Sequence, residues 1–297
     1  MNRTIVTFSR RTDGGLYIEW LIDKLKKGFC QYPNPVSGKI ITQSLTKDSI
    51  IFLSLWTKLP NKIVPYIKEL INLVPLNIQV TLNCYGNAVE KNIPSKNILI
   101  DSFKRISECM KNINLINWRY DPVMLSEKFN IEWHLNNFYD LCKNLNGFTN
   151  RVMVSLVQLT GSYFTLFSKV KENRINDNDR LIMFDKETFF NIIEKFISIA
   201  KEHGIELNIC CEPHLDPKKD ALLFKKFGSL YKGCISEKLV REFEPFLKIK
   251  KTKGQRKNCL CCDCHDIGVY HTCSNGCIYC YANRKSSYIS DKISSSF

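Results

Sequence analysis

The stretch 49-SIIFLSLW-56 is apolar at nearly every position. A strand with one solvated face alternates apolar and polar residues, whereas a nearly continuous apolar run marks a strand covered on both faces, as in parallel sheets. Runs of similar character recur at 4-TIVTFS-9, 77-NIQVTLNC-84, 113-INLINWRY-120, 151-RVMVSLVQL-159 and 205-IELNICC-211. Between them, apolar residues fall at helical spacing from Leu16 to Leu25, with Gly28 as a stop, and again near 61–73, 98–111, 131–145 and 187–203. Shorter strands around Cys234 and at 267-IGVYHT-272 bring the count to about eight. Alternation of this kind predicts an α/β fold with a parallel (β/α) barrel, TIM-like or partly open.

The chain has 297 residues, 44% of them hydrophobic, enough for a substantial core. It divides most naturally into a barrel body over 1–247 and a segment over 248–297, in which a basic linker leads into a cysteine-rich end that completes the barrel. The linker, 248-KIKKTKGQRK-257, is the densest basic run in a chain of formal net charge +14. Such charge suits a polyanionic partner such as nucleic acid, and equally a solvated linker. Residues 171–180 are expected to form an exposed loop, and 285–297 a frayed Ser- and Lys-rich tail. No run of about 18 uncharged apolar residues occurs, and the N-terminus lacks the order of a signal peptide. A cytoplasmic protein with no membrane partner is therefore expected. Fourteen cysteines in a reducing compartment argue for thiolate metal ligation over disulfides, and seven of them lie between Cys259 and Cys280.

The sharpest chemical signal is 271-HTCSNGCIYCYANR-284, where Cys273, Cys277 and Cys280 are spaced C-x3-C-x2-C with Tyr279 before the last. Three thiolates this close can hold three corners of a cubane 4Fe-4S cluster and leave the fourth iron open. A closed structural site would want four ligands, and a zinc knuckle or unrelated buried thiols are the alternatives.

In barrels of this kind the active site lies at the C-terminal ends of the strands. Arg10, Arg11 and Asp13 follow the first strand, Trp56 and Lys58 the second, and Asn83 and Tyr85 the third. Trp118, Arg119, Tyr120 and Asp121 follow the fourth, Gln158 the fifth, and Cys210, Glu212 and His214 the sixth. Singly each fits a loop salt bridge or a satisfied polar group. Together they predict a polar, cation-rich cavity for an anionic or nucleobase-like substrate, with Arg10, Arg11, Asp13, Lys58, Tyr85, Arg119, Asp121 and Glu212 as catalytic candidates.

The cysteine stretch resembles the cluster loop of the radical S-adenosylmethionine (SAM) enzymes, and Gly276 to Ala282 is similar to the version in spore photoproduct lyase and its DNA-repair-like relatives. Across the chain, Ser9-Arg10-Arg11-Thr12-Asp13, Trp56-Thr57-Lys58, Trp118-Arg119-Tyr120-Asp121-Pro122, Cys210-x-Glu212 and Asp266-Ile267-Gly268 resemble, in order, the motifs of the bacterial family called domain of unknown function 1848. That family carries a radical-SAM-like cysteine cluster at its C-terminal end, and its reaction is not established. The resemblance implies a 4Fe-4S cluster, SAM, and an electron donor such as flavodoxin or ferredoxin. It also implies a circular permutation, because radical SAM enzymes place this loop after their first strand. The strand at 267–272 would then pair beside 4–9. Asp13, Gly14 and Gly15 would occupy the place of the Gly-Gly-Glu turn that receives the methionine amino group, in a different order, and Tyr279 would face the cofactor. Tyr85, Tyr120 or Cys84 would relay a hydrogen atom. An iron-sulfur redox or sensor protein that does not cleave SAM is the alternative function.

A second cysteine group, 259-CLCCDC-264, precedes the cluster loop. Cys259 and Cys261 match a C-x-C of the family pattern, and Cys210 and Cys234 also fall at its cysteine positions. The resemblance thus implies a second centre held by Cys210, Cys234, Cys259 and Cys261, iron-sulfur in preference to zinc, able to store or relay an electron. The competing arrangements are a local zinc site from Cys259, Cys261 or Cys262, Cys264 and His265, or plain buried thiols.

Overall fold

The computed structural model describes residues 3–9, 11–157, 174–176, 179–182, 185–212, 215, 216, 218, 220–252 and 259–282. Arg10, Gln158, His214, part of the 171–180 stretch, the end of the basic run and the 285–297 tail lie outside them.

Strand β1 (Thr4–Phe8) leads through a 3-10 turn (Gly14–Tyr17) into α1 (Ile18–Lys27), and a hairpin of β2 (Phe29–Pro33) and β3 (Ile40–Ser44) precedes β4 (Ile50–Thr57). Next come α2 (Pro60–Ile63), α3 (Ile67–Leu73), β5 (Leu76–Thr81), α4 (Lys96–Met110), β6 (Ile116–Val123), β7 (Leu125–Ser126), α5 (Ile131–Leu145) and β8 (Arg151–Leu156). The remainder holds β9 (Arg174–Asn176), β10 (Asp179–Ile182), α6 (Lys186–Glu202), β11 (Glu206–Ile209), α7 (Ala221–Phe227), α8 (Glu237–Arg241) and β12 (His265–Asp266). The architecture is mixed α/β around a seven-stranded sheet in the order β11-β8-β6-β5-β4-β1-β12, with every neighbouring pair parallel. The strands expected from the apolar runs form six of the seven.

The two faces of this sheet differ. Outward, Val6, Phe8, Leu53, Leu55, Ile78, Val80, Trp118, Tyr120, Val152 and Val154 are buried with helix residues such as Leu21, Phe103, Phe138 and Phe196. The opposite residues of the same strands are buried and largely polar: Ser54, Asn77, Gln79, Asn117, Arg119, Arg151 and Asn208. Buried polar groups must find partners. Ser54 Oγ donates to Asn77 Oδ1 at 2.7 Å, Asn77 Nδ2 to Asn117 Oδ1 at 3.1 Å, and Arg151 Nη2 to Asn117 Oδ1 at 2.6 Å. A second packed cluster on this side joins Ile5, Phe52, Met153, Cys210, Cys234, Ile235 and Leu239.

Several expectations need correction. The last strand of the sheet is His265–Asp266, paired with Val6 and Thr7, and not 267–272. The ladder stops because the Asp266 carboxylate takes the next backbone donors, Ser9 N at 3.2 Å and Gly268 N at 3.1 Å. No strand forms at Cys234. That segment crosses the polar side of the sheet, where Gln79 Nε2 donates to Cys234 O at 3.0 Å and Cys262 N to Ile235 O at 2.8 Å. The 171–180 stretch is not wholly loop, since β9 and β10 pair there and β10 pairs with β7. The β2–β3 hairpin was not anticipated. Among the described residues no helix is long and apolar enough to cross a membrane.

His134 on α5 is fully buried, its Nδ1 2.8 Å from Tyr120 Oη and its Nε2 2.8 Å from Met124 O. Burial pushes its imidazole down to about 4. The fold thus favours neutral His134: this stability is complete above the unfolded value of about 6.5 and is lost as pH falls toward 4. Urea unfolding should show the wild type losing about 3 kcal/mol more than His134→Gln between pH 7 and pH 4. Equal losses would show that His134 is not held neutral.

Candidate active site

Asp13 caps the turn after β1 and is the hub of the candidate site. Its Oδ1 accepts from Gly15 N at 2.9 Å and Thr57 Oγ1 at 2.6 Å, and its Oδ2 from Lys58 N at 2.7 Å and Asn275 Nδ2 at 2.8 Å. Burial pushes this carboxyl up, and the four donors oppose that rise. One carboxylate therefore joins the ends of β1 and β4 to the cysteine loop. Gly14 and Gly15 allow the close approach. A Cβ on Gly14 would lie 2.1 Å from Leu55 Cδ1, and one on Gly15 would lie 2.9 Å from the Leu59 carbonyl oxygen.

The cysteine loop is held at further points. Asn92 N donates to Asn275 O at 3.0 Å, Asn92 Nδ2 to Ser274 O at 2.7 Å, and Ile278 N to Val89 O at 3.0 Å. Thr272 O accepts from Tyr17 Oη at 2.5 Å. Cys277 is buried, and burial pushes its thiol up to about 12, against the pull of Lys58. Cys273 and Cys280 are partly exposed.

Around this loop the strand-end residues fall into one network. Lys58 Nζ donates to Glu90 Oε1 at 2.9 Å and lies 5.3 Å from the Tyr279 ring centroid. Burial opposes its charge, but Glu90 and then Cys277 outweigh that, and the ammonium is held above its ordinary value. Tyr279 Oη donates to the same Glu90 oxygen. Asn83 Nδ2 lies 3.3 Å from Tyr279 Oη and 2.8 Å from Asp121 O, while Asp121 N donates to Asn83 Oδ1 at 2.7 Å. Arg119 pairs with Asp121, stacks 4.5 Å from the Trp56 ring centroid and donates from Nη1 to Cys234 Sγ at 2.9 Å.

Other candidates stand apart. Arg11 Nη1 donates to Asp266 O at 2.9 Å, at the sheet edge. The Tyr85 hydroxyl is committed to the backbone, donating to Pro122 O at 2.7 Å and accepting from Met124 N at 2.9 Å. Tyr120 faces the helices beside His134. Glu212 is buried past the end of β11.

That end of β11 meets the second cysteine group. Cys210 Sγ lies 3.2 Å from Cys234 Sγ. Thiol contacts continue from Cys234 to Cys261, from Cys261 to Cys259, and from Cys259 through Cys211 back to Cys210. Hydrogen bonds from Cys211 and Cys261 hold the Cys259 thiol down to about 3. His265 turns away, its Nδ1 2.8 Å from Gln43 Oε1. Among the described residues no group of three or more His, Cys, Asp or Glu side chains is spaced to enclose a metal ion as it stands.

Glu90, Asn275, Cys211 and Arg151 were missed from sequence. Asn275 lay within the cysteine motif and Cys211 beside a named cysteine. Glu90 carried no signal, being one acid in a loop, and Arg151 sits at the start of a strand, where no site was expected. Two surface grooves, of about 650 Å³ beside Asn61 and Arg105 and about 540 Å³ beside Lys186 and Glu194, lie on the helical layer and include none of these residues.

Residues 5–282 match the family described as Domain of unknown function (DUF1848). The chain belongs to the DUF1848 family. No curated protein matches it. The match begins within β1 and ends at Ala282, so the DUF1848 unit includes both the sheet and the cysteine loop that Asp13 ties together.

Replacing Asp13 by Ala would strand three buried donors and the half-buried Lys58 N, at about 1–3 kcal/mol for each buried one left unpaired. Asn275→Ala removes only the link to the loop. Hydrogen exchange should then quicken at the amides of 273–280 and stay unchanged in β4. Equal loosening of both segments would refute Asp13 as the tether.

Proposed function

We propose that this DUF1848 protein is an iron-sulfur enzyme of radical SAM-like type, with Cys273, Cys277 and Cys280 as the cluster ligands. The observation that supports this is the position of the three-cysteine loop. It docks at the C-terminal ends of β1, β4 and β5, where α/β sheets carry their sites. The donor set fits: three thiols in one loop anchored to rigid elements, with Lys58 against Cys277 to balance thiolate charge. When bound, such a cluster supplies an open iron for the amino and carboxylate groups of SAM and an electron for cleaving its sulfonium. Asp13 positions the loop, and Tyr279, Glu90 and Lys58 fix its orientation. Arg119 and Lys58, each ion-paired to a carboxylate, stand beside the loop where an anionic or nucleobase-like substrate would be received. The sheet is read as a barrel open between β11 and β12, with the pairing of β1 and β12 giving the permuted order.

One observation favours the second reading, an iron-sulfur redox or sensor protein. Both oxygens of Asp13 are engaged by protein donors, and Gly14 and Gly15 are packed against β4 and Leu59. The turn is therefore filled where the methionine end of SAM would be received.

Anaerobically reconstituted protein, reduced with SAM, should form deoxyadenosine, and Cys277→Ala should abolish this and remove about four irons per chain. Wild type that holds those irons but makes no deoxyadenosine would support the sensor reading and reject the enzyme.

Action on nucleic acid extends the proposal from the net charge of +14. Binding to single- or double-stranded DNA should weaken steeply with salt, as counterion release requires. A weak, salt-insensitive isotherm would remove nucleic acid from the reading.

A further inference from the structure

The ring of thiols at the end of β11 stands apart from the cluster loop and enters none of the chemistry above. Five cysteines from three segments converge there: Cys210 and Cys211 after β11, Cys234 in the segment crossing the sheet, and Cys259 and Cys261 before β12. Two backbone features serve this convergence. Cys211 has a φ of 51°, a left-handed conformation that is rare for a residue other than glycine, and both it and Cys210 reach the ring. Gly233 lets the strands of chain touch, because a Cβ there would lie 2.5 Å from Leu260 O and 2.7 Å from Cys261 Cα.

Charge supplies an independent indication. Arg119 and Arg151 are both buried on the polar side of the sheet. Arg119 has one carboxylate, Asp121, and places Nη1 against Cys234 Sγ. Arg151 has neutral hydrogen-bond partners, Ser236 Oγ at 3.1 Å and Asn117 Oδ1 at 2.6 Å. Asp121 is ion-paired to Arg119, while Glu206 and Glu242 act on Arg151 through charge alone, so further negative charge beside these two buried guanidiniums would be favourable, a buried cation being costly. A divalent ion with four thiolates carries a net charge of about −2 and would meet that need.

We propose that Cys210, Cys234, Cys259 and Cys261 hold a single metal ion in a closed tetrathiolate site that fastens the C-terminal segment across the sheet. These four form an unbroken run of thiol contacts, and Cys211 closes the ring behind them. Sulfurs bound to one zinc at 2.3 Å stand about 3.8 Å apart in a tetrahedron. The Cys210–Cys234 pair, at 3.2 Å, needs to open by only about half an ångström to reach this, whereas a cubane spreads its thiolates much further. A single ion, zinc by its preference for four thiolates, therefore suits the ring better than an iron-sulfur cluster.

The test uses full-length protein in which Cys273, Cys277 and Cys280 are all replaced by Ser, so that the cluster loop contributes no metal. This protein should retain about one zinc per chain, with an X-ray absorption shell of about four sulfurs at about 2.3 Å and no metal–metal neighbour. Adding Cys234→Ser and Cys261→Ser should abolish binding. Gly233→Ala, which keeps every cysteine but drives Leu260 and Cys261 outward, should lower occupancy at least tenfold in competition with a chelator. Should the cysteine variants fail to fold, the chelator titration and absorption shell of the Ser-substituted parent still decide. Parent protein devoid of metal after zinc loading, or holding about four irons with iron–iron neighbours, would overturn the single-ion site.

Discussion

A single buried carboxylate sets the geometry of this molecule. Asp13 receives four donors from three places: its own turn, the end of β4 and the cysteine loop. A group so placed tolerates little change, because three of the donors it leaves are themselves buried and have no water to turn to. The small residues beside it are consequences of that demand. Gly14 and Gly15 leave room where Leu55 and Thr57 of β4, and Leu59 beyond it, lie against the turn, and a Cβ at either would hold the turn away from them.

The parallel sheet was legible because burial on both faces leaves an unmistakable trace in runs such as 49-SIIFLSLW-56. The polar inner face was written in the same strands, as Asn77, Gln79, Asn117 and Asn208, yet one-dimensional reading assigns such residues to strand ends or solvent. Only the curling of the chain across them, with Cys234 O accepting from Gln79, shows that they are interior. The end of the chain was harder. The apolar run 267-IGVYHT-272 reads as a strand, but the Asp266 side chain captures the backbone donors that would have continued the ladder. Sequence patterns carry no sign of a side chain substituting for a strand.

The candidate site divides in the same way. Cysteine spacing is a local property and was readable, so the grouping of Cys273, Cys277 and Cys280 needed no fold. Glu90 is not local in that sense. It is defined by Lys58 and Tyr279 arriving from two other segments and by Asn83 from the start of its own loop. Arg119 likewise acquires meaning from what it lies between: Asp121 and Asn83 lead from it toward Tyr279, and on the other side stands Cys234. A continuous hydrogen-bonded path thus joins the two cysteine groups, and a change of charge at one is felt by the guanidinium that faces the other.

The pairing of β1 with β12 brings together residues from opposite ends of the matched region, and the tether from Asn275 to Asp13 spans 262 positions. On a ribosome these partners emerge roughly 10 to 50 seconds apart at ordinary elongation rates. Throughout that interval the first strand has a bare edge, and the Asp13 turn lacks its last donor. Within the matched region, Cys273, Cys277 and Cys280 follow every strand of the seven-stranded sheet in chain order. Any ion or cluster that these three thiols took up would therefore meet strands that had already left the ribosome.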